Sequence, residues 1–348
     1  MPTGARLKGD TLKLEVYSAW LDNVKMYAML WVILGHIMTI IIKTNNDLPG
    51  NIIEHFIVAF NMPLFMIISG YSNYNAFNRI NNIDNLYIFI KKTIIHILLP
   101  VITFCLMSLT PNFIFSPFWF LNMLLYLMLG FAIIHYIIYA IFKKHILIAS
   151  IILFIICFLG INKIWIGEMC TYYVIGLLCR RFKIFEHPHK ILFPLLIFIG
   201  CILFILIWIN GDYAIKENSF YHSGLFDLLD LGLAYLWIER QILGIILSIG
   251  MMGVFLNFDG RYTLFSKMGS YTLSFYLFHA IMLRLFRNET FIHYFHHTTF
   301  YQFFNNSTSL RWCGVFIIFF LMTAICWKLI CICQKWKWTK LLCLGKQL

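Results

Sequence analysis

Long, unbroken apolar runs dominate this chain, and they leave few folds open to it. Ten of them fall at about 24–42, 52–71, 93–110, 117–142, 146–162, 165–179, 191–209, 236–256, 271–287 and 311–332. A helix needs about 20 mostly apolar residues to cross the hydrocarbon core of a bilayer, and most of these runs have that length. A transmembrane barrel would instead show segments of about 10 residues with alternating polarity. Charged residues make up 12% and apolar residues 61% of the 348, and the mean hydropathy is +0.80. A soluble domain carries about a quarter charged residues, and a compact soluble body with so few charges would be unable to cover its surface. A soluble enzyme, a disordered chain and a disulfide scaffold are thereby excluded. The expected fold is all-α: a polytopic transmembrane helix bundle of about ten spans, forming one integral-membrane domain over residues 1–348. The fifth and sixth runs are short and close together, so nine spans is the alternative count.

The net charge of +12 raises the question of nucleic acid. The basic residues lie between apolar runs rather than in one patch, so they read as loops retained on the cytoplasmic side. With the N-terminus inside, nineteen Lys and Arg fall in cytoplasmic segments and five in outer loops or at outer helix ends. That asymmetry places both termini in the cytoplasm, with an N-terminal segment at 1–23 and a basic tail at 333–348. The first run contains Lys25 and His36, and no small-residue cleavage pattern follows it, so it is expected to be a retained span rather than a signal peptide. Almost all of the ten cysteines sit in apolar runs, and the rest, Cys331, Cys333 and Cys343, sit at the basic tail. This is the usage of small hydrophobes. Cys331 and Cys333 have no second pair to complete a metal site.

Ionisable groups within a span are costly and mark function by default. The first span holds Asp22, Lys25 and His36. Eleven residues separate Lys25 from His36, which at about 100° per residue puts both on one face, roughly 16 Å apart along the axis. A polar stripe therefore runs from the inner boundary past mid-membrane. Two readings stay open for it: Lys25 snorkels to the interface and His36 is a satisfied core histidine, or the pair carries chemistry. In the second span Pro63 removes a helical hydrogen bond, so a kink is expected beside Asn61. His293, His296 and His297 have helical spacing in an outer loop, where an interfacial segment and a metal site compete as readings. The loop at 210–235 is acidic through Asp212, Glu217, Asp227 and Asp230, either as a solvated loop or as an acceptor-binding rim.

Several of these segments together resemble the membrane acyltransferase-3 family, the O-acetyltransferases of bacterial surface glycans. Lys25 and His36 have the spacing of that family's basic residue and histidine in the first span. Residues 60–71, Phe-Asn-Met-Pro-Leu-Phe-Met-Ile-Ile-Ser-Gly-Tyr, resemble its FHMPLFF-x-x-SGY segment, with Asn61 where the family has histidine. Lys91, Lys92, His96 and Pro100 resemble its basic third-span entry, although its Arg-x-x-Arg pair falls on Thr93 and His96 here. Trp119-Phe120-Leu121 resembles its fourth-span WFL, and Gly269 to His279 its late G-x-x-S-x-x-x-Y-x-x-H segment. The resemblance implies a cytoplasmic acetyl-CoA donor, a glycan or glycolipid hydroxyl as acceptor on the far side, a bacterial inner-membrane location and no metal. It implies catalysis by His36 with Lys25 and Asp22, and substrate contacts from Asn61, Ser69, Tyr71, Trp119 and His279. A basic inner mouth of Lys91, Lys92, Arg180 and Arg181 would hold the CoA phosphates. His36 would act as general base or as a nucleophile passing through an acyl-imidazole. Intramembrane charges beside a broken helix also suit a transporter or glycan flippase, and that alternative class stays open here.

Overall fold

A computed structural model describes residues 5–42, 48–107, 119–143, 164–187, 189–209, 231–257 and 263–345, with short pieces at 148–149, 151–153 and 156. Among these residues the structure is helical, with no strand. The helices are α1 (Ala5–His36), α2 (Leu48–Phe77), α3 (Ile83–Thr93), α4 (Leu99–Met107), α5 (Trp119–Phe142), α6 (Ile164–Arg181), α7 (Leu192–Ile209), α8 (Leu231–Asn257), α9 (Leu264–Gly269), α10 (Thr272–Arg287), α11 (Glu289–His296), α12 (Thr299–Asn305), α13 (Thr308–Cys333) and α14 (Lys337–Leu344). Short polar residues start several of them. The side chains of Asn82, Asn288, Thr298 and Ser307 each accept a hydrogen bond from the backbone N–H three residues on, which satisfies a donor the helix itself leaves open. Thr263 and Ser266 form a reciprocal capping box at α9.

Seven helical segments among the described residues are long and apolar enough to cross a membrane: 19–41, 48–77, 83–107, 119–142, 192–209, 234–257 and 308–333. The remaining three expected spans differ for separate reasons. The run at 146–162 lies mostly outside the described residues, as does the acidic 210–235 loop. The run at 165–179 is the helix α6, but Glu168, Arg180 and Arg181 dilute its apolar character. The run at 271–287 is α10, an apolar helix shorter than a full span. Many large apolar side chains on these helices point outward, among them Leu106, Tyr126, Ile191 and Phe320. A continuous apolar exterior of this kind calls for a lipid solvent.

The core of the bundle is α2 against α6. A Cβ at Gly70 would strike the Tyr173 carbonyl, and one at Gly176 would strike the Ile67 carbonyl, so the two backbones touch through glycine. α2 runs as one helix through Pro63. The neighbouring α8 adapts to it: Gly244 leaves room for the proline ring, and the Ser248 hydroxyl donates to the Phe60 carbonyl at 3.5 Å. α1 lies on the same core and packs at its inner end on α9, where Gly269 sits directly on the Asp22 carbonyl. Two π-helical turns interrupt the bundle, Ile37–Ile41 just after His36 and Ile94–Leu98 around His96. Such turns are rare and concentrate at functional sites.

Candidate functional site

The polar stripe on α1 opens onto a cavity of about 250 Å³. Lys25 enters it from α1; Ser69, Ser72 and Asn73 from α2; Thr272 and Tyr276 from α10; apolar side chains of α5 and the third span complete the wall. Lys25 is held by its own helix, with Nζ 2.9 Å from Asp22 Oδ1 three residues earlier. Part of its ammonium remains accessible, since the Lys25 side chain is 30% exposed against 13% for Asp22. The hydroxyls of Ser69 and Ser72 donate to the carbonyls of Phe65 and Ile68, at 2.7 and 2.8 Å. Their oxygens keep lone pairs for a ligand. Asn73 donates to the Tyr173 hydroxyl at 3.1 Å.

One helical turn along α10 from Tyr276 stands His279, 1% exposed. The Tyr276 ring meets it edge-on at 5.3 Å. The His36 ring stacks on His279 with centroids 5.6 Å apart and planes within 20°. Two imidazoles from the first span and a late helix are thus brought face to face, with Tyr276 linking His279 to the cavity wall. His279 Nδ1 lies 3.0 Å from the Phe275 carbonyl. A carbonyl accepts only, so Nδ1 carries the proton, and in the neutral ring Nε2 holds the lone pair.

The other expected residues divide. Asn61 is 2% exposed and faces α1. With its amide turned to satisfy both ends, the nitrogen donates to the Ala28 carbonyl (3.0 Å) and the oxygen accepts from the Val32 N–H (3.1 Å). Asn61 therefore clamps α2 to α1, and it does not line the cavity. Tyr71 is also buried away from the cavity: Arg180 Nη1 donates to its hydroxyl at 3.0 Å, and Trp20 and Phe185 pack on its ring. Arg180 is thereby drawn into this inner cluster, while Lys91, Lys92 and Arg181 are exposed. Trp119 packs edge-on against Phe120, and Phe120 lines the cavity. Among the described residues no three His, Cys, Asp or Glu side chains converge as a metal site would require. The His293 and His297 rings meet edge-on with centroids 4.4 Å apart, and His296 Nε2 donates to the Ile41 carbonyl at 3.3 Å.

Sequence reasoning passed over a second buried polar group. Glu168 of α6 is 4% exposed and forms an ion pair with Arg240 of α8, Oε1 to Nε 3.6 Å. The Tyr172 hydroxyl lies between them, 3.3 Å from Glu168 Oε1 and 3.2 Å from the Arg240 carbonyl. The signal was available, because both charges stand within apolar runs and the criterion applied to Lys25 covers them too. Tyr276 was missed as a wall of the site although its motif had been noted.

Comparison with known proteins adds one finding. A family model described as an acyltransferase domain, that of the acyltransferase-3 family, matches residues 18–331. No curated protein and no solved structure matches the chain.

Proposed function

This chain belongs to the acyltransferase-3 family and is a membrane acyltransferase; from that premise we propose that it moves an acetyl group from cytoplasmic acetyl-CoA to a hydroxyl of an extracytoplasmic glycan or glycolipid. Its setting is a bacterial inner membrane, crossed ten times with both termini inside. The observation that carries the reading is the stacked His36–His279 pair, joined through Tyr276 to a cavity that Lys25 also lines.

The parts then take roles. CoA phosphates rest on basic groups at the inner surface, Lys91, Lys92 and Arg181, with the Lys25 ammonium further in. The thioester arm occupies the cavity, whose apolar wall keeps water from the acyl group. The acceptor hydroxyl meets the carbonyl carbon near His36, which takes its proton as the C–O bond forms. The Asp22–Lys25 pair keeps the Lys25 ammonium fixed on the cavity side of α1.

The test is mass spectrometry of surface glycans from cells with and without the chain, combined with label from acetyl-CoA. Acetylation adds about 42 Da (the arithmetic mass of an acetyl group in place of hydrogen). Cells producing the chain should gain that mass, and His36→Gln should lose it while the protein still inserts, since loss of a general base costs about 10²–10⁴ in rate. An intact thioester pool together with unmodified glycans would leave the transporter class standing instead.

A further inference from the structure

We propose that His279 is a second catalytic residue, the acid that protonates the departing CoA sulfur while His36 takes the proton of the acceptor hydroxyl. The proposal rests on the acyl-transfer reading above and adds a division of labour to it.

Position distinguishes the two rings. His279 is joined to the donor cavity through Tyr276, which lines the cavity and touches the His279 ring edge-on. His36 closes α1 at the π-helical turn Ile37–Ile41, and the end of that turn is met by His296 of α11, on the side away from Lys25. The donor therefore approaches along the His279 side and the acceptor along the His36 side. Acyl transfer needs a group on each flank, because a hydroxyl loses a proton and a thiolate gains one. The hydrogen bond to the Phe275 carbonyl fixes Nδ1 of His279 as a donor, so the proton exchanged with the donor sulfur is assigned to the other ring nitrogen, Nε2.

The step balances within the pair. At the start His279 is protonated and His36 is neutral. As the acceptor oxygen bonds to the acetyl carbon, its proton passes to His36; as the C–S bond breaks, the Nε2 proton of His279 passes to sulfur. Ester and free thiol leave, His36 holds the proton and His279 is neutral. Transfer of one proton between rings 5.6 Å apart resets the site.

A donor series tests this in the solubilised full-length chain: acetyl-CoA beside acetyl thioesters of progressively more acidic aryl thiols. A more acidic thiol leaves without help. The wild type should show a shallow dependence of rate on leaving-thiol acidity. His279→Asn keeps an amide N–H for the Phe275 carbonyl and lacks the second nitrogen; it should lose about 10²-fold with acetyl-CoA and recover to within a few-fold of wild type with the most acidic aryl donor. His36→Gln should be slowed alike with every donor. Equal slowing of His279→Asn across the series would make His279 structural and overturn the proposal. A steep dependence already in the wild type would overturn it without any variant. If the wild type forms no acetyl ester from any donor, the acyl-transfer reading itself falls, an outcome distinct from the other two.

Discussion

Glu168 and Arg240 meet inside the bundle as opposite charges, whereas His36 and His279 meet there as two copies of one titratable ring. The first group is closed. Its carboxylate faces a guanidinium at 3.6 Å and a tyrosine hydroxyl at 3.3 Å, and the surrounding helices pack tightly, with Tyr172 and Pro63 both filling the space at Gly244. Each partner neutralises the other, so the group has nothing left to exchange with a ligand. The second group borders a cavity. Its rings stack without neutralising one another, and Tyr276 connects them to a cavity. Buried polarity thus divides into polarity that joins helices and polarity that stands beside a cavity. The same division runs along α2, where Asn61 clamps α1 while Ser69 and Asn73 face the cavity.

The sharpest way to break this contrast is to cross the two groups. Removing one partner of a buried ion pair leaves a charge uncompensated and costs about 3–5 kcal/mol, a large share of the stability of an ordinary domain. Glu168→Ala should therefore sharply lower the amount of folded protein, measured by detergent-stable fluorescence size exclusion, while the molecules that fold turn over normally. Replacing both partners by apolar residues, Glu168→Leu with Arg240→Met, should restore the level, because an apolar substitute for a buried pair is often neutral. His36→Gln should do the reverse, with normal level and lost turnover. Loss of turnover per folded molecule in the double variant would move Glu168 and Arg240 into the site and dissolve the contrast.

Much of the second group was legible in the sequence, and the reason is geometric. Lys25 and His36 lie on one helix, where residue spacing alone sets their relative direction. Asp22 and Lys25 are three apart, within reach of each other on a helix, and they do pair. The meeting of His36 with His279 depends on how α10 packs against α1, which no local spacing encodes. The engagement of Asn61 was illegible for a related cause: beside a proline, a polar side chain looks available, and only the neighbouring helix shows the partners of its amide. The span count was legible only in part, because α6 carries three charges that apolar counting penalises, and two of them, Glu168 and Arg180, are accounted for by partners on other elements.

A smaller effect is expected at the basic end of α3. Lys91 and Lys92 stand in its last turn as exposed groups. If they hold donor phosphates, each charge-assisted contact contributes about 1.5–3 kcal/mol, or roughly ten- to a hundredfold in affinity. Lys91→Ala with Lys92→Ala should raise the KM for acetyl-CoA by that order, leave kcat at saturation nearly unchanged, and weaken the salt dependence of the rate. Lysines that only enforce topology would give a lower inserted level and an unchanged KM, so KM measured per inserted molecule decides.

The smallest effect concerns the rim beside that end, where α14 docks on the third span. Gly345 ends α14 with φ +61°, a left-handed cap natural to glycine, and its carbonyl accepts a hydrogen bond from His96 Nδ1. Nearby, the Cys333 thiol donates to the Cys343 sulfur, which lowers the Cys343 pKa to about 7 although burial pulls the other way. A thiol whose pKa falls on folding stabilises the docked state above the unfolded pKa of about 8.5, and that contribution is lost as pH falls through about 7. Alkylation of Cys343 by a neutral maleimide, followed by peptide mass spectrometry, should thus rise with a midpoint near pH 7. In Cys333→Ala only burial remains, so the midpoint should move to the ordinary thiol range or above, with transfer activity little changed. An unmoved midpoint would mean that the two sulfurs do not meet and that α14 is held by the Gly345–His96 contact alone. A shifted midpoint with activity intact would place this rim with the polarity that joins helices, alongside Glu168 and Arg240 rather than His36 and His279.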